Sequence, residues 1–250
     1  MSQRRVDLTT SDGLLDCYLF EPSTAATARP APWPGVVLFM DAFGIRSALA
    51  SMCERLAAHG YVVALPNLYY RTGPFPPFDP HLVAAGGVER ERFSGMIKSI
   101  TNPMVIRDTA AVLALLDKTP SVKPGALAAV GYCMGGGYAL SAAGAFGDRV
   151  AVAASFHGGS LATASPHSPH LLASQMRAQV YVGVAEIDPS FSPEQRALLE
   201  EALRGAGVAY ELEMYPGARH GFAVTGHLAY DHDASEHHWQ RLVDLLGRAL

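Results

Sequence analysis

The chain has 250 residues, of which 49% are hydrophobic, and a formal net charge of -4 at pH 7. That composition supplies one sizeable core, and mixed charge without a basic stripe argues against nucleic acid or an anionic membrane as partner. No apolar stretch approaches the length of a membrane span, and Met1–Asp7 carries Arg4 and Arg5 with no apolar core behind them, so neither a membrane helix nor a signal peptide is expected. The three cysteines, Cys17, Cys53 and Cys133, form no CxxC pair, which points to a reducing compartment and, by default, the cytoplasm.

Strand and helix candidates alternate along the chain. Leu14–Phe20 reads as an early edge strand that places Cys17 among core residues, and a Pro/Ala-rich loop, Pro22 to Pro34, follows. Gly35–Met40 and Tyr61–Leu65 read as buried strands on either side of a helix from Ser47 to His59, which buries Cys53 and stops at Gly60. The stretch from Pro66 to Asn102 breaks this rhythm. It gathers Tyr69, Tyr70, Arg71, Phe75 and Phe78 before a charged run, Glu89–Arg92, and so reads as a lid or pocket loop, or as aromatic packing that anchors the loop. Val105, Thr109, Val112, Leu113 and Leu116 then form a helical stripe, followed by strands at Ala126–Val130, Val150–Phe156, Val180–Ala185 and Tyr210–Tyr215. Ser192-Pro193-Glu194-Gln195 has the pattern of a capped helix start, and Asp233-Ala234-Ser235-Glu236 resembles a capping box opening the last helix. Alternation of this kind predicts a single α/β domain over residues 1–250, with a mostly parallel sheet covered by helices on both faces.

The chemistry concentrates at Gly131-Tyr132-Cys133-Met134-Gly135-Gly136. A strand before it and a helix after it make this the G-x-S-x-G nucleophile elbow with cysteine in place of serine. A helix N-terminus there favours thiolate over thiol. In the α/β-hydrolase order the acid comes next and the histidine last. Asp188 follows the Val180–Ala185 strand, with Glu186 as the alternative acid, and His220 lies in the loop after Tyr210–Tyr215. Cys133, Asp188 and His220 thus read as a catalytic triad, with backbone N–H groups of Met134 and Ala42 as the oxyanion donors. No metal or cofactor is called for. His227, His232, His237 and His238 lack companion cysteines and aligned ligand spacing, so they read as a solvated helix face.

Asp41-Ala42-Phe43-Gly44, Asn67–Arg71, the Gly131–Gly136 block, Asp188 and Arg219-His220-Gly221-Phe222 together resemble the dienelactone hydrolase family of α/β-hydrolases. The resemblance implies a Cys-His-Asp triad that opens a small-molecule ester or lactone through an acyl-enzyme, in a monomer or small homo-oligomer. It places Asp41 where the family carries an acidic residue that helps to shuttle the cysteine between thiol and thiolate; Asp41 is one methylene shorter than the usual glutamate. It places Arg71 as one of two arginines that hold a substrate carboxylate, beside Tyr70. The second arginine's position is Val224, and Gly221 stands where a hydroxyl side chain is expected, so a less acidic substrate is an open alternative. His157, at the end of the strand after the elbow helix, is either a further polar contact for substrate or the cap of a Gly-rich turn. Three other functions compete: another hydrolase with a cysteine elbow, a thiol redox sensor, and a non-catalytic binding module on this fold.

Overall fold

A computed structural model describes residues 2–24 and 27–250. Met1, and Ala25 and Ala26 of the expected Pro22–Pro34 loop, lie outside the described residues. The chain divides into two compact units, Met1–Pro124 and Gly125–Leu250.

In the first unit, β1 (Ser2–Thr10) and β2 (Gly13–Glu21) form an antiparallel hairpin closed at Thr10↔Gly13. Leu15, Cys17 and Leu19 alternate into the core from β2. β1 was not expected from the sequence, because most of its residues face solvent and it carries no apolar run; its strand character comes from pairing. β2 is therefore an inner strand rather than an edge: its other side pairs antiparallel with β4 (Val62–Pro66), which runs parallel to β3 (Gly35–Phe39). Both β3 and β4 are buried along their length, as their unbroken apolar runs require. Helix α1 (Ser47–Ala58) buries Leu49, Met52, Cys53 and Leu56 and packs on β2 and β4.

The stretch from 66 to 102 is not a structureless loop. It holds a 3-10 turn (Tyr70–Thr72) and helices α2 (Pro80–Ala85) and α3 (Gly87–Lys98). An aromatic chain anchors it: Tyr69–Phe75 at 5.6 Å between ring centroids, Phe75–Phe78 at 5.7 Å, Phe78–Phe93 at 5.2 Å and Phe93–Phe43 at 4.9 Å. The Arg92 guanidinium lies 3.9 Å over the Phe78 ring. These aromatics pack on one another, and Tyr70 and Phe75 also line a pocket within this unit, with Leu14, Tyr18 and Ile45. Helix α4 (Asn102–Asp117) then buries Val105, Thr109, Val112 and Leu116 as its stripe predicts.

Helix α4 also carries a buried charge, Asp108, at 1% side-chain exposure. It accepts from Arg71 Nη1 at 2.9 Å, from Arg71 Nη2 at 2.8 Å and from Tyr70 Oη at 2.9 Å. Arg71 Nε and Nη2 donate in addition to Asp12 Oδ2, at 2.9 and 2.7 Å, in the β1–β2 turn. Removing one partner of a buried ion pair leaves an uncompensated charge. Arg71→Ala is therefore expected to lower stability by about 3 kcal/mol in urea denaturation. Arg107→Ala, which removes an exposed contact to Asp12, should cost far less.

In the second unit four parallel strands lie in the order β5 (Leu127–Tyr132), β6 (Val150–Phe156), β7 (Gln179–Ile187), β8 (Tyr210–Arg219). Successive residues of β6 point to opposite faces. Ser155 meets the glycines of helix α5 (Met134–Ala145), whereas the Phe156 ring lies 4.6 Å from that of His238 on helix α7 (His232–Ala249). Helices α5 and α7 therefore cover opposite faces of β6. Helix α6 (Pro193–Gly205) is capped by Ser192, whose hydroxyl accepts from Gln195 N as the sequence predicts. Helix α7 opens two residues earlier than expected, with Asp231 accepting from Ala234 N. A 3-10 segment, Pro169–Gln175, had no sequence signal. Among the described residues no helix is long and apolar enough to cross a membrane.

Candidate active site

β5 ends at Tyr132 and α5 begins at Met134, so Cys133 alone makes the turn, with φ 56° and ψ -121°. A non-glycine residue held at positive φ stores roughly 1–3 kcal/mol of backbone strain, and the surroundings must over-determine it. Here they do so by leaving no room. A Cβ on Gly131 would overlap the Gly135 carbonyl, and one on Gly136 would overlap Ser155 Oγ. Cys133 N donates to Phe156 O at 3.2 Å, tying the elbow to the end of β6.

The two partners arrive from neighbouring parallel strands. β7 ends at Ile187 and Asp188 follows; β8 runs as far as Arg219, longer than the sequence suggested, and delivers His220 directly. His220 Nε2 lies 3.1 Å from Cys133 Sγ, and its Nδ1 lies 2.7 Å from Asp188 Oδ2. The Asp188 side chain is 2% exposed. Burial opposes charge on the His220 ring, but hydrogen bonds to Asp188 and Cys133 outweigh it and raise its pKa to about 10. Burial likewise opposes the Asp188 anion, yet His220 and the two donors of Ser190 hold its pKa below the ordinary value. The alternative acid, Glu186, is exposed and accepts instead from Gly217 N at 2.6 Å. Ser190 was missed in the sequence; an Asp-x-Ser turn after a strand was its only signal.

His157 sits past the end of β6 at φ 39°, 1% exposed, its ring 5.3 Å from that of His220 and 5.3 Å from that of Phe222. Burial, then the neighbouring histidines, push its pKa well below the ordinary value, so the ring is neutral. Among the described residues neither ring nitrogen has a hydrogen-bond partner. Its backbone N–H donates to Gly183 O at 2.8 Å, and its ring packs edge-on against the His220 imidazole.

The remaining candidates have partners of their own within the first unit. The buried Asp41 carboxylate is held by Arg46, Nη1 on Oδ1 and Nη2 on Oδ2, both at 2.7 Å, and accepts from Phe43 N at 3.0 Å. Both carboxylate oxygens are thus engaged within the first unit. Arg71 and Tyr70 are drawn into the Asp12–Asp108 network, because a buried carboxylate attracts every donor within reach. Ala42 is buried, and its carbonyl accepts from Tyr69 Oη at 2.9 Å. Met134 is the first residue of α5.

The two departures in the histidine loop have physical causes. Gly221 adopts φ 97°, and a Cβ there would overlap the His227 ring, so a hydroxyl side chain has no space. Val224 is fully buried, where an arginine would have to bury its charge. The C-terminal histidines are not one solvated face. His238 is fully buried, with Nε2 3.0 Å from Tyr132 Oη, while the half-exposed His237 lies 2.7 Å from Glu213 Oε1.

A cysteine elbow on parallel strands, followed in chain order by an acid and a histidine, defines an α/β-hydrolase. Residues 15–250 match the dienelactone hydrolase family, and the chain belongs to it. It is accordingly a carboxylic ester or lactone hydrolase. A Synechocystis protein provisionally named carboxymethylenebutenolidase is 27% identical over 238 residues, covering 93% of this chain and 91% of its own. A Bradyrhizobium protein provisionally named a 2-oxo-3-(5-oxofuran-2-ylidene)propanoate lactonase is also 27% identical, covering 94% and 89%. Two solved structures share the fold. One, provisionally a dienelactone hydrolase from Klebsiella pneumoniae, has a TM-score of 0.85 at 21% identity and covers 99% of this chain and 98% of its own. The other, a dienelactone hydrolase-like promiscuous phosphotriesterase from metagenomic libraries, has a TM-score of 0.80 at 23% identity, with the same coverage.

Thiol labelling tests the site directly. Cys17 and Cys53 are fully buried, and burial pushes the Cys17 thiol up to about 12 and the Cys53 thiol well above its ordinary value. Cys133 is partly exposed beside His220. Iodoacetamide at pH 7 should modify Cys133 in the folded enzyme and leave the other two intact, as read by peptide mass spectrometry. Gly131→Ala should disturb the elbow, lowering both the labelling rate and the melting temperature.

Proposed function

We propose that the chain hydrolyses an ester or lactone by nucleophilic catalysis, with Cys133 as nucleophile, His220 as proton carrier and Asp188 as its orienting acid. The observation that carries this reading is the unbroken contact chain from Sγ through the imidazole to a buried carboxylate, at 3.1 and 2.7 Å. Hydrogen bonds to Asp188 and Cys133 raise the His220 pKa, so the imidazole carries a proton at neutral pH, and the sulfur in contact with it attacks the carbonyl carbon. The tetrahedral oxyanion takes the Met134 N–H as a donor. Its collapse breaks the carbonyl carbon–alkoxide bond, with the His220 proton passing to the leaving oxygen. His220, now neutral, deprotonates a water that attacks the thioester. Breaking the carbon–sulfur bond then releases the carboxylic acid, which gives its proton to solvent, and restores the starting pair of sulfur and protonated imidazole. Asp188 holds Nδ1 throughout, so that only Nε2 exchanges protons with the reacting groups.

The substrate is proposed to be uncharged where the family resemblance assigns Arg71 a carboxylate. Arg71 directs its donors at Asp12 and Asp108, so a substrate carboxylate would have to displace an existing ion pair. The redox-sensor reading gains no support, because the other two thiols are fully buried. A binding module has no need for a strained cysteine in contact with a histidine.

Hydrolysis of p-nitrophenyl acetate and of a neutral aryl lactone tests the mechanism, with mass spectrometry of the quenched enzyme to trap acyl-Cys133. Cys133→Ala should abolish turnover and the adduct while keeping the fold. Asp188→Asn should slow kcat by about 10³- to 10⁴-fold, as misorientation of the imidazole does in serine enzymes, and Glu186→Gln should leave it nearly unchanged. Full activity in Cys133→Ala would end the reading. On a matched acidic and neutral ester pair, Arg71→Ala should reduce kcat/KM by similar factors. A selective loss on the acid would restore the carboxylate clamp.

A further inference from the structure

Resting on the triad reading above, we propose that Ser190 is a positioning residue of the acid–histidine pair, its hydroxyl fixing the Asp188 carboxylate so that Oδ2 stays on His220 Nδ1. Ser190 Oγ donates to Asp188 Oδ1 at 2.5 Å, and Ser190 N donates to the same oxygen at 2.9 Å. His220 Nδ1 takes the other oxygen, at 2.7 Å. Both carboxylate oxygens are therefore engaged, and at 2% side-chain exposure water has little access to replace a lost donor. Ser190 Oγ also lies 3.1 Å from His220 Nδ1, so the hydroxyl touches both members of the pair. Carboxylate torsions are broad and roughly two-fold, and it takes donors on one oxygen to select the rotamer that serves the other.

Ser190 is itself held from behind. Its carbonyl accepts from Ser160 N at 2.9 Å, joining the acid loop to the turn that follows β6. At Gly159 a Cβ would come within 2.8 Å of Ser190 Oγ and 3.0 Å of its Cβ. Gly159 has no left-handed backbone requirement, so its bareness serves to leave that serine room.

A purely local role is the competing account, since Asp188 Oδ1 with Ser190 N is an Asx-turn that would brace the loop without the hydroxyl. A pH profile separates the two. The titratable groups facing the pair are Cys133 from the elbow, His157 from the end of β6 and His227 from the loop after β8. Of these His157 stays neutral by burial, and Glu186 turns to Gly217 N. Without the Ser190 hydroxyl the Asp188 anion is less stabilised and its pKa rises. The imidazolium it supports is then less stabilised and its pKa falls. The kcat/KM profile of Ser190→Ala should therefore narrow, its acid limb moving up and its alkaline limb moving down.

The experiment measures kcat, KM and the full pH profile for wild type, Ser190→Ala and Gly159→Ala on one neutral ester, with Cys133→Ala and Asp188→Asn alongside. Ser190→Ala should lower kcat by about 10- to 100-fold, the range for a hydrogen bond to a charged group, at unchanged KM. Gly159→Ala keeps the hydroxyl but crowds it, and should narrow the profile in the same sense by a smaller amount. It also provides the readout if Ser190→Ala does not fold. A Ser190→Ala enzyme with wild-type kcat and pH limits, only less stable, would overturn the proposal while leaving the triad standing. Full activity in Cys133→Ala or Asp188→Asn would instead overturn the triad and the proposal with it.

Discussion

The elbow depends on an absence of space. Cys133 holds a left-handed backbone conformation only because Gly131 and Gly136 let strand β5, helix α5 and Ser155 of β6 close on one another without a Cβ between them. That packing raises the sulfur above the end of the parallel strands, and strand geometry does the rest. β7 and β8 run parallel to β6 and to each other, so the residues just past their ends emerge on the same side. Asp188 and His220, 32 residues apart in the chain, meet because neighbouring parallel strands stop together. The strain at Cys133 is held by core contacts that a buried sheet provides anyway.

Charge in the first unit is arranged on the opposite principle. Asp41 and Asp108 are both buried carboxylates, and each is matched by an arginine: Arg46 for the first, Arg71 for the second. An unpaired buried carboxylate is costly enough that the nearest guanidinium is recruited to it, whatever other role that guanidinium could play. Arg71, which the family resemblance assigns to a substrate carboxylate, and Asp41, which it assigns to the thiol–thiolate shuttle, thus both have internal partners. Together with the burial of Val224 in the histidine loop, this supports the proposal of neutral esters and lactones as substrates.

Much of this was readable from the chain. The buried strands β3, β4, β5 and β6 announce themselves as short apolar runs, and α4 by its stripe from Val105 to Leu116. The elbow is legible because its glycines and cysteine are contiguous, and the order of Asp188 and His220 follows from their places after strand-like runs. What escaped is whatever depends on a partner distant in sequence. β1 is a strand only because β2 pairs with it, and the aromatics between 66 and 102 pack on one another through Phe43, which lies outside that stretch. His238 reads as exposed in a polar helix, yet it is buried against Tyr132, 106 residues earlier.

The sequence by itself determined the alternation of strands and helices and the candidates for nucleophile, acid and base, because these rest on local propensity, turn chemistry and chain order. Only the tertiary structure set Asp188 rather than Glu186 against His220, engaged Arg71 and Asp41 with internal partners, and brought Ser190 to the Asp188–His220 pair. Those outcomes turn on which donors reach a given carboxylate in three dimensions. Reach of that kind is set by strand register and burial, and a one-dimensional pattern does not encode it residue by residue.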